Sequence, residues 1–209
     1  MQRSSSLVSY LLQRQLVHQR QRISKNQMIN KVIRSQLPCD VFINHRGNDT
    51  KRTIASLLYD YLTRLRISPF LDNKNMKPGD KLFEKIDSAI EECKIGVAVF
   101  SPRYCDSYFC LHELALFIES KKKVIPIFCD VKPSELRVIN NNGNIPLGPK
   151  EIERFNLALE EAKHTVGLDF DSNKGNWSDV VTKAADVVIE SLIEIKEAEL
   201  TRNPIKLPN

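Results

Sequence analysis

The chain of 209 residues is 42% hydrophobic and can bury one sizeable core, with little left over for a second. Seven of its 31 basic residues precede the first acidic residue, Asp40, which leaves 24 basic against 26 acidic residues from there onward. This nearly neutral body argues against nucleic-acid binding over a broad basic face, although the formal net charge of the whole chain is +5.

The first 37 residues form a basic leader that is rich in Ser and Arg and lacks acidic residues. This composition is typical of an organellar transit peptide, and a solvated basic arm that contacts a membrane or a partner fits it equally well. The run "LVSYLL" is too short for a secretory signal, and no stretch reaches the roughly 18 apolar residues of a membrane span. Five cysteines, an odd number, argue for reduced thiols in a reducing compartment. We expect a cytoplasmic protein, with plastid or mitochondrion as the alternative if the leader is a transit peptide.

From Cys39 onward, short apolar runs alternate with helical patterns, which predicts a parallel α/β sheet. Pro69 lies in the second apolar run and cannot donate to a strand ladder, so we expect that strand at the edge of the sheet. The elements predicted over the first half are a strand at 39–44, a helix at 53–66, a strand at 67–72, a polar Pro-Gly loop at 73–81 and a helix at 82–93.

The second half continues the alternation and begins with its most apolar run, "KIGVAVFS". This run is apolar on both faces, which predicts a central strand covered by helices on each side. Trp177 is expected to pack the last helix onto the sheet. The predicted elements are strands at 94–101, 124–129 and 165–170, and helices at 109–122, 150–164 and 177–200.

Five strands interleaved with five helices predict an α/β, flavodoxin-like three-layer sandwich, in which helices flank a five-stranded parallel sheet of order 2-1-3-4-5. Ligands of such sheets bind beyond the carboxyl ends of the strands, where the order reverses between strands 1 and 3. Strand 1 ends at "NHRGNDT" and strand 3 ends at "SPRYCDSYF". The two polar segments are therefore predicted to meet in one cleft.

The first polar segment combines a cation, a glycine and two candidate capping residues. Arg46 offers a planar fork for phosphate or carboxylate, and Gly47 lets the backbone approach a ligand. Asp49 or Thr50 is expected to cap the next helix. An ordinary strand-turn-helix junction explains the same residues. No Gly-x-Gly-x-x-Gly run or Walker A loop occurs, which argues against a conventional dinucleotide cofactor site or an NTPase.

The second polar segment leads to Glu113, about one turn into its helix and surrounded in sequence by Leu111, Leu114 and Phe117. Such a glutamate is either a surface residue on the polar edge of the helix or a partly desolvated acid that faces a cleft. Partial burial would raise its pKa and suit it to stabilising a developing cation. The residues by themselves leave both interpretations open.

Two other kinds of site have weaker support. His45, Cys105, Cys110 and His112 do not match the spacing of any standard zinc site, so no metal site is predicted. A Cys-His hydrolase built on Cys110 would need a base whose position the sequence does not define.

Four motifs resemble, in order and at the expected separations, the plant Toll/interleukin-1 receptor (TIR) domain. They are "CDVFINHRGNDTKRTIASLLYDYL", "LDNKNMKPGDKLFEKIDSAIEECKIGVAVFS", "YFCLHELALF" and "VIPIFCDVKPSEL". The resemblance covers residues 38–198 and leaves the basic leader 1–37 and a flexible tail 199–209 outside the domain. Since no nucleotide-binding or leucine-rich-repeat region follows, the chain resembles a TIR-only protein, with the monocot type as one candidate.

The resemblance implies an NAD⁺ nucleosidase and ADP-ribosyl cyclase that signals in plant innate immunity and cell death. Plant members cleave the bond between nicotinamide and ribose with the glutamate of the motif that stands here as "CLHEL", which implies Glu113 as the catalytic residue. Attack by water gives ADP-ribose, and attack by a group of the same molecule gives a cyclic isomer. NAD⁺ is then the substrate, and no cofactor is expected. The alternative function is a non-enzymatic TIR adaptor that acts by TIR–TIR association.

The resemblance also implies substrate contacts and self-association. Loop 72–81, with Gly79 at its hinge, closes over the site in this family and contacts a neighbouring subunit. Dimers or higher TIR assemblies are expected, with other TIR proteins as further partners. The residues implied near the nucleotide part of NAD⁺ are Arg46, Gly47, Asn48, Asp49, Thr50 and Lys51.

Two departures from the family pattern bear on these expectations. Phe109 stands where the family commonly has a tryptophan that stacks on the ligand, so stacking is expected with less area and without an indole N–H. Many plant TIR domains carry Ser-His on the first helix at a self-association surface, whereas here the pair is Ser56-Leu57. That particular interface is therefore in doubt.

Overall fold

A computed structural model of the chain describes residues 39–138, 141–142 and 145–202. The chain divides into two units, Met1–Leu37 and Pro38–Asn209, and the fold below is that of the second. The predicted leader and the last seven residues of the predicted tail lie outside the described residues, so both stay predictions.

A five-stranded parallel sheet forms the middle layer, in the order β2-β1-β3-β4-β5. This confirms the predicted order, with the Pro69 strand at one edge and the apolar strand β3 in the centre. Residues Val41 to His45 of β1 pair with Ile95 to Val99 of β3, so the two strands end at nearly the same level. The strands are β1 (Val41–His45), β2 (Pro69–Phe70), β3 (Ile95–Phe100), β4 (Lys123–Cys129) and β5 (Leu168–Phe170).

Five long helices cover the two faces of the sheet. Side chains alternate between the faces along each strand. In β3, Val97 and Val99 therefore pack with α1 and α5, whereas Ala98 and Phe100 pack with α2, α3 and α4. The helices are α1 (Ile54–Arg64), α2 (Leu82–Glu92), α3 (Tyr108–Glu119), α4 (Pro149–His164) and α5 (Trp177–Arg202).

The last helix packs onto the sheet through Trp177, as predicted. Its ring meets the ring of Phe170 in β5 edge-on, with 4.6 Å between centroids. Among the described residues, no helix combines the length and the apolar character that crossing a bilayer requires.

Two local predictions were wrong in detail. The polar loop predicted at 73–81 begins with one helical turn, Asp72–Asn75, in which the Asn75 side chain accepts a hydrogen bond from the Leu71 N–H at 2.8 Å. Neither Asp49 nor Thr50 caps α1, because residues 47–50 form a helical turn of their own and the Thr50 hydroxyl donates to the Arg46 carbonyl at 3.2 Å. A short antiparallel pair, Asn141–Asn142 with Ile145–Pro146, was not predicted.

Candidate active site

The two polar segments meet beyond the carboxyl ends of β1 and β3, as predicted. Asn44, near the end of β1, donates from Nδ2 to the carbonyl of Cys110 in the first turn of α3, at 2.9 Å. The Tyr104 hydroxyl donates to the same carbonyl at 3.0 Å. The start of α3 is therefore tied to the end of β1, and this fixes where the next turn of α3 lies.

Glu113 lies in that next turn and is only 8% exposed. Burial raises the pKa of its carboxyl well above the ordinary value, and the nearby carboxylates of Asp72 and Asp87 raise it further. Of the two interpretations left open by the sequence, the exposed surface residue is wrong, because the acid is almost completely desolvated; that it faces a cleft stays a prediction. A carboxylate in such surroundings interacts strongly with a neighbouring cation, since little water screens the two charges.

His45 links the end of β1 to Asp72, the first residue of the loop 72–81 that contains Gly79. Its Nδ1 lies 3.1 Å from the Thr50 hydroxyl, and its Nε2 lies 3.5 Å from Asp72 Oδ1. Burial acts to raise the pKa of Asp72, but the neighbouring His45 imidazole and the Asn73 N–H outweigh burial and lower that pKa. The first residue of the turn 72–75 is thus held against the sheet, close to Glu113.

Asp49 joins the segments that follow β1 and β3. The Ser101 hydroxyl donates to Asp49 Oδ2 at 2.8 Å, and Arg103 donates from Nη2 to Asp49 Oδ1 at 2.6 Å. Arg46 Nε lies 3.7 Å from the same Oδ1. These bonds explain why Asp49 is not available to cap α1.

The other predicted contact residues differ in their exposure and in their backbone surroundings. Asn48 and Lys51 are exposed. At Gly47, no atom lies within 4 Å of the position a Cβ would take, so the backbone has open space beside it. Gly79 has a φ of 98°, a left-handed conformation that glycine adopts without strain, which suits a hinge.

Phe109 stands one turn before Glu113 on the same face of α3 and is 38% exposed. Its ring lies 5.3 Å from that of Phe83 in α2, at an interplanar angle of 32°. Phe83 is 43% exposed and also meets the rings of Tyr108 and His112 edge-on. Two neighbouring aromatic rings, rather than the single one predicted, are therefore exposed about one helical turn before Glu113.

The sequence analysis gave no individual role to several residues that the structure brings to this site, namely Asn44, Asp72, Phe83, Ser101 and Arg103. The helical pattern of α2 assigns Phe83 to the buried stripe, since Ile86 and Ile90 follow it at spacings of three and seven. A usable signal did exist for Ser101 and Arg103, because both belong to the polar segment after the central strand.

The zinc and hydrolase alternatives find no support in this geometry. His112 is engaged by Asp87 at Nε2 and by Arg154 at Nδ1, at 3.1 and 3.2 Å. Burial raises the pKa of the Cys105 thiol to about 11 and that of Cys110 further, which makes both poor nucleophiles. Within the described residues, no group of three or more His, Cys, Asp or Glu side chains is placed to hold a metal ion.

The strand order and the flanking helices define a flavodoxin-like α/β domain, with a desolvated acid close to the point where the strand order reverses. The sequence profile described as "TIR domain" matches residues 39–186, and the chain belongs to the TIR domain family. This confirms the resemblance drawn from the four motifs.

Named relatives agree with the family. The chain is 50% identical over 161 residues to "Probable 2' cyclic ADP-D-ribose synthase BdTIR" of Brachypodium distachyon, covering 77% of this chain and 72% of that protein. It is 33% identical over 171 residues to "TMV resistance protein N" of Nicotiana glutinosa, covering 75% of this chain but only 15% of that protein. Among solved structures, the TIR domains of the activated Roq1 resistosome that recognises the pathogen effector XopQ match with a TM-score of 0.62 and 28% identity, covering 72% of this chain and 99% of that one.

Proposed function

We propose that this protein cleaves the N-glycosidic bond between nicotinamide and ribose in NAD⁺, with Glu113 as the catalytic residue. The observation that carries the proposal is an acid, 8% exposed and with a raised pKa, at the crevice where parallel α/β sheets bind their ligands. The likeness to a protein named as a cyclic ADP-ribose synthase, at 50% identity, agrees with this assignment.

Cleavage of the bond between nicotinamide and ribose is favoured by a negative charge beside the ribose. As nicotinamide leaves, C1' of the ribose takes on oxocarbenium character, and the Glu113 carboxylate stabilises that charge. Burial strengthens the interaction because little water competes for either partner. Attack by water gives ADP-ribose, and attack by a group of the same molecule gives a cyclic isomer. We propose both products, and the 2' isomer in the name of the Brachypodium relative is the first to look for.

We propose the substrate contacts from the family resemblance, at residues that lie after the end of β1 and at the start of α3. Arg46, Gly47, Asn48, Asp49, Thr50 and Lys51 surround the nucleotide part of NAD⁺, and the segment carrying Gly79 closes over it. Phe109 stacks on a planar ring of the substrate, and Phe83 extends the stacking surface, which offsets part of the area lost by having no tryptophan. No further cofactor is required, since NAD⁺ is the substrate.

The proposed role is production of a nucleotide signal in plant innate immunity and cell death. Support comes from relatives and neighbours whose names refer to resistance and to a resistosome. We also propose self-association into dimers or higher TIR assemblies, and contacts with other TIR proteins.

The test is nicotinamide release from NAD⁺ by purified protein at high concentration, with products resolved by chromatography. Glu113→Gln is expected to lower the rate at least about a hundredfold, because the negative charge is lost while the shape is kept. Glu153→Gln, an exposed glutamate on α4, is the matched control and should retain the native rate.

Equal rates for the native chain and Glu113→Gln would remove Glu113 from the catalytic role. If the native chain released no nicotinamide even under crowding that forces assembly, the adaptor function would replace the enzyme.

We propose the cytoplasm as the place of action, and a plastid or mitochondrion as the alternative that the basic leader raises. Imaging a carboxyl-terminally tagged full-length chain beside one that lacks residues 1–37 tests the choice. Organellar signal that disappears with the leader would overturn the cytoplasmic assignment.

A further inference from the structure

A second arginine stands at the crevice beside Arg46. Arg103 follows the central strand β3 and reaches across to the segment that follows β1, where its Nη2 donates to Asp49 Oδ1 at 2.6 Å. Arg46 Nε lies 3.7 Å from the same oxygen. Two guanidinium groups, one from the segment after β1 and one from the segment after β3, therefore lie near the same carboxylate oxygen.

The Asp49 carboxylate is held in place beside these two guanidinium groups. Its other oxygen accepts the Ser101 hydroxyl at 2.8 Å, and its side chain is only 10% exposed. A carboxylate held on both oxygens orients the guanidinium groups that it binds. Because one negative charge faces two positive ones, this part of the crevice keeps an excess of one positive charge.

Both arginines retain donors that Asp49 does not use. The Arg103 side chain is 59% exposed, and the hydrogen bond to Asp49 engages one of its three nitrogens. Arg46 Nε is shielded from solvent and has no hydrogen-bond partner among the described residues. A shielded donor without a partner costs stability in the free protein, so the Arg46 side chain is not held in place by its Nε.

We propose that Arg103 binds the pyrophosphate of NAD⁺, with Arg46 on its other side. The proposal rests on the proposed function for the identity of the substrate. A pyrophosphate diester carries two negative charges, and its oxygens match the planar donors of guanidinium groups. The site lies in the crevice that also holds Glu113, so anchoring the pyrophosphate would help to hold the ribose in place during cleavage.

The first experiment measures binding without cleavage. ADP-ribose and adenosine are titrated by calorimetry into the Glu113→Gln chain, with and without Arg103→Ala or Arg103→Lys. Arg103→Ala is expected to weaken ADP-ribose about ten- to a hundredfold, the range for lost hydrogen bonds to charged groups. Adenosine, which lacks phosphate, should bind equally well to all variants. Arg103→Lys, which keeps the charge without the fork, should recover part of the affinity.

The second experiment measures NAD⁺ cleavage in chains with intact Glu113. Arg103→Ala should raise KM for NAD⁺ in proportion to the lost affinity and change kcat less. Arg64→Ala is the matched control, since Arg64 is an exposed arginine at the end of α1, shortly before β2 begins and therefore on the side of the sheet where the strands start.

The outcomes separate this proposal from the proposed function. Unchanged ADP-ribose affinity in Arg103→Ala, or an equal loss for ADP-ribose and adenosine, would overturn the pyrophosphate site and reduce the Arg103–Asp49 bond to a structural link. ADP-ribose binding that depends on Arg103, in a chain that does not cleave NAD⁺, would support the site while rejecting the enzyme.

Discussion

At the scale of single residues, the proposed catalysis depends on the charge state of Glu113. Burial comes first among the causes that raise its pKa, and the charges of Asp72 and Asp87 add to it. The carboxylate is the form that stabilises an oxocarbenium ion, so activity should be lost as pH falls through the raised pKa of Glu113. The acidic limb of the kcat/KM profile is therefore expected above the usual range of a glutamate.

Asp87→Asn tests this electrostatic account. Removing a neighbouring negative charge makes ionisation of Glu113 easier, so its pKa falls and the acidic limb moves to lower pH. The asparagine carbonyl still accepts the His112 hydrogen bond, which is 3.1 Å long in the native chain. Profiles of kcat/KM against pH for the native chain, Asp87→Asn and the distant control Asp179→Asn supply the measurement. A limb that stays in place, or moves to higher pH, would contradict the prediction.

At the scale of elements, α2 and α3 each present one exposed aromatic ring, and the two rings are neighbours. The rings of Phe83 and Phe109 lie 5.3 Å apart and are about two-fifths exposed, at 43% and 38%. Exposed aromatic pairs next to a crevice are suited to stacking on a flat ligand ring. Helical periodicity by itself does not show that Phe83 is exposed, because the pattern describes one helix and not the elements that pack beside it.

Phe83→Ala is expected to raise KM for NAD⁺ about two- to tenfold and to leave kcat nearly unchanged, since an aromatic pair contributes about 0.5–1.5 kcal/mol. Leu157→Ala, an exposed apolar residue on α4, serves as control. Steady-state kinetics and sedimentation are measured on the same samples. Weaker self-association with an unchanged KM would instead assign the two rings to a subunit contact.

At the scale of the whole molecule, the three layers pack closely through the central strand. Gly96 of β3 lies directly under Phe117 of α3, and a Cβ at Gly96 would stand 2.8 Å from the Phe117 ring. That ring is fully buried and so has little freedom to move away. The close contact holds α3, and therefore Glu113, against the sheet.

Gly96→Ala should lower the free energy of unfolding by about 1–3 kcal/mol, the usual cost of overpacking a core. Urea unfolding followed by circular dichroism measures the change. Gly47→Ala is the stability control, because a Cβ at Gly47 meets no atom within 4 Å. A urea midpoint for Gly96→Ala equal to that of the native chain would contradict the prediction. It would mean that β3 and α3 accommodate the added methyl group without loss of stability.

The sequence by itself determined the order of the elements, the parallel sheet and the cleft between the first and central strands. These features follow from local apolar periodicity and from the rule that connects strand order to ligand position. Periodicity did not decide whether Glu113 faces the crevice, because its helix is apolar on most of its surface. The tertiary structure alone decided that Glu113 is buried, that Phe83 is exposed and that Arg103 pairs with Asp49. Each of these three features depends on which residues from distant parts of the chain pack beside the side chain, and a local sequence pattern does not contain that information.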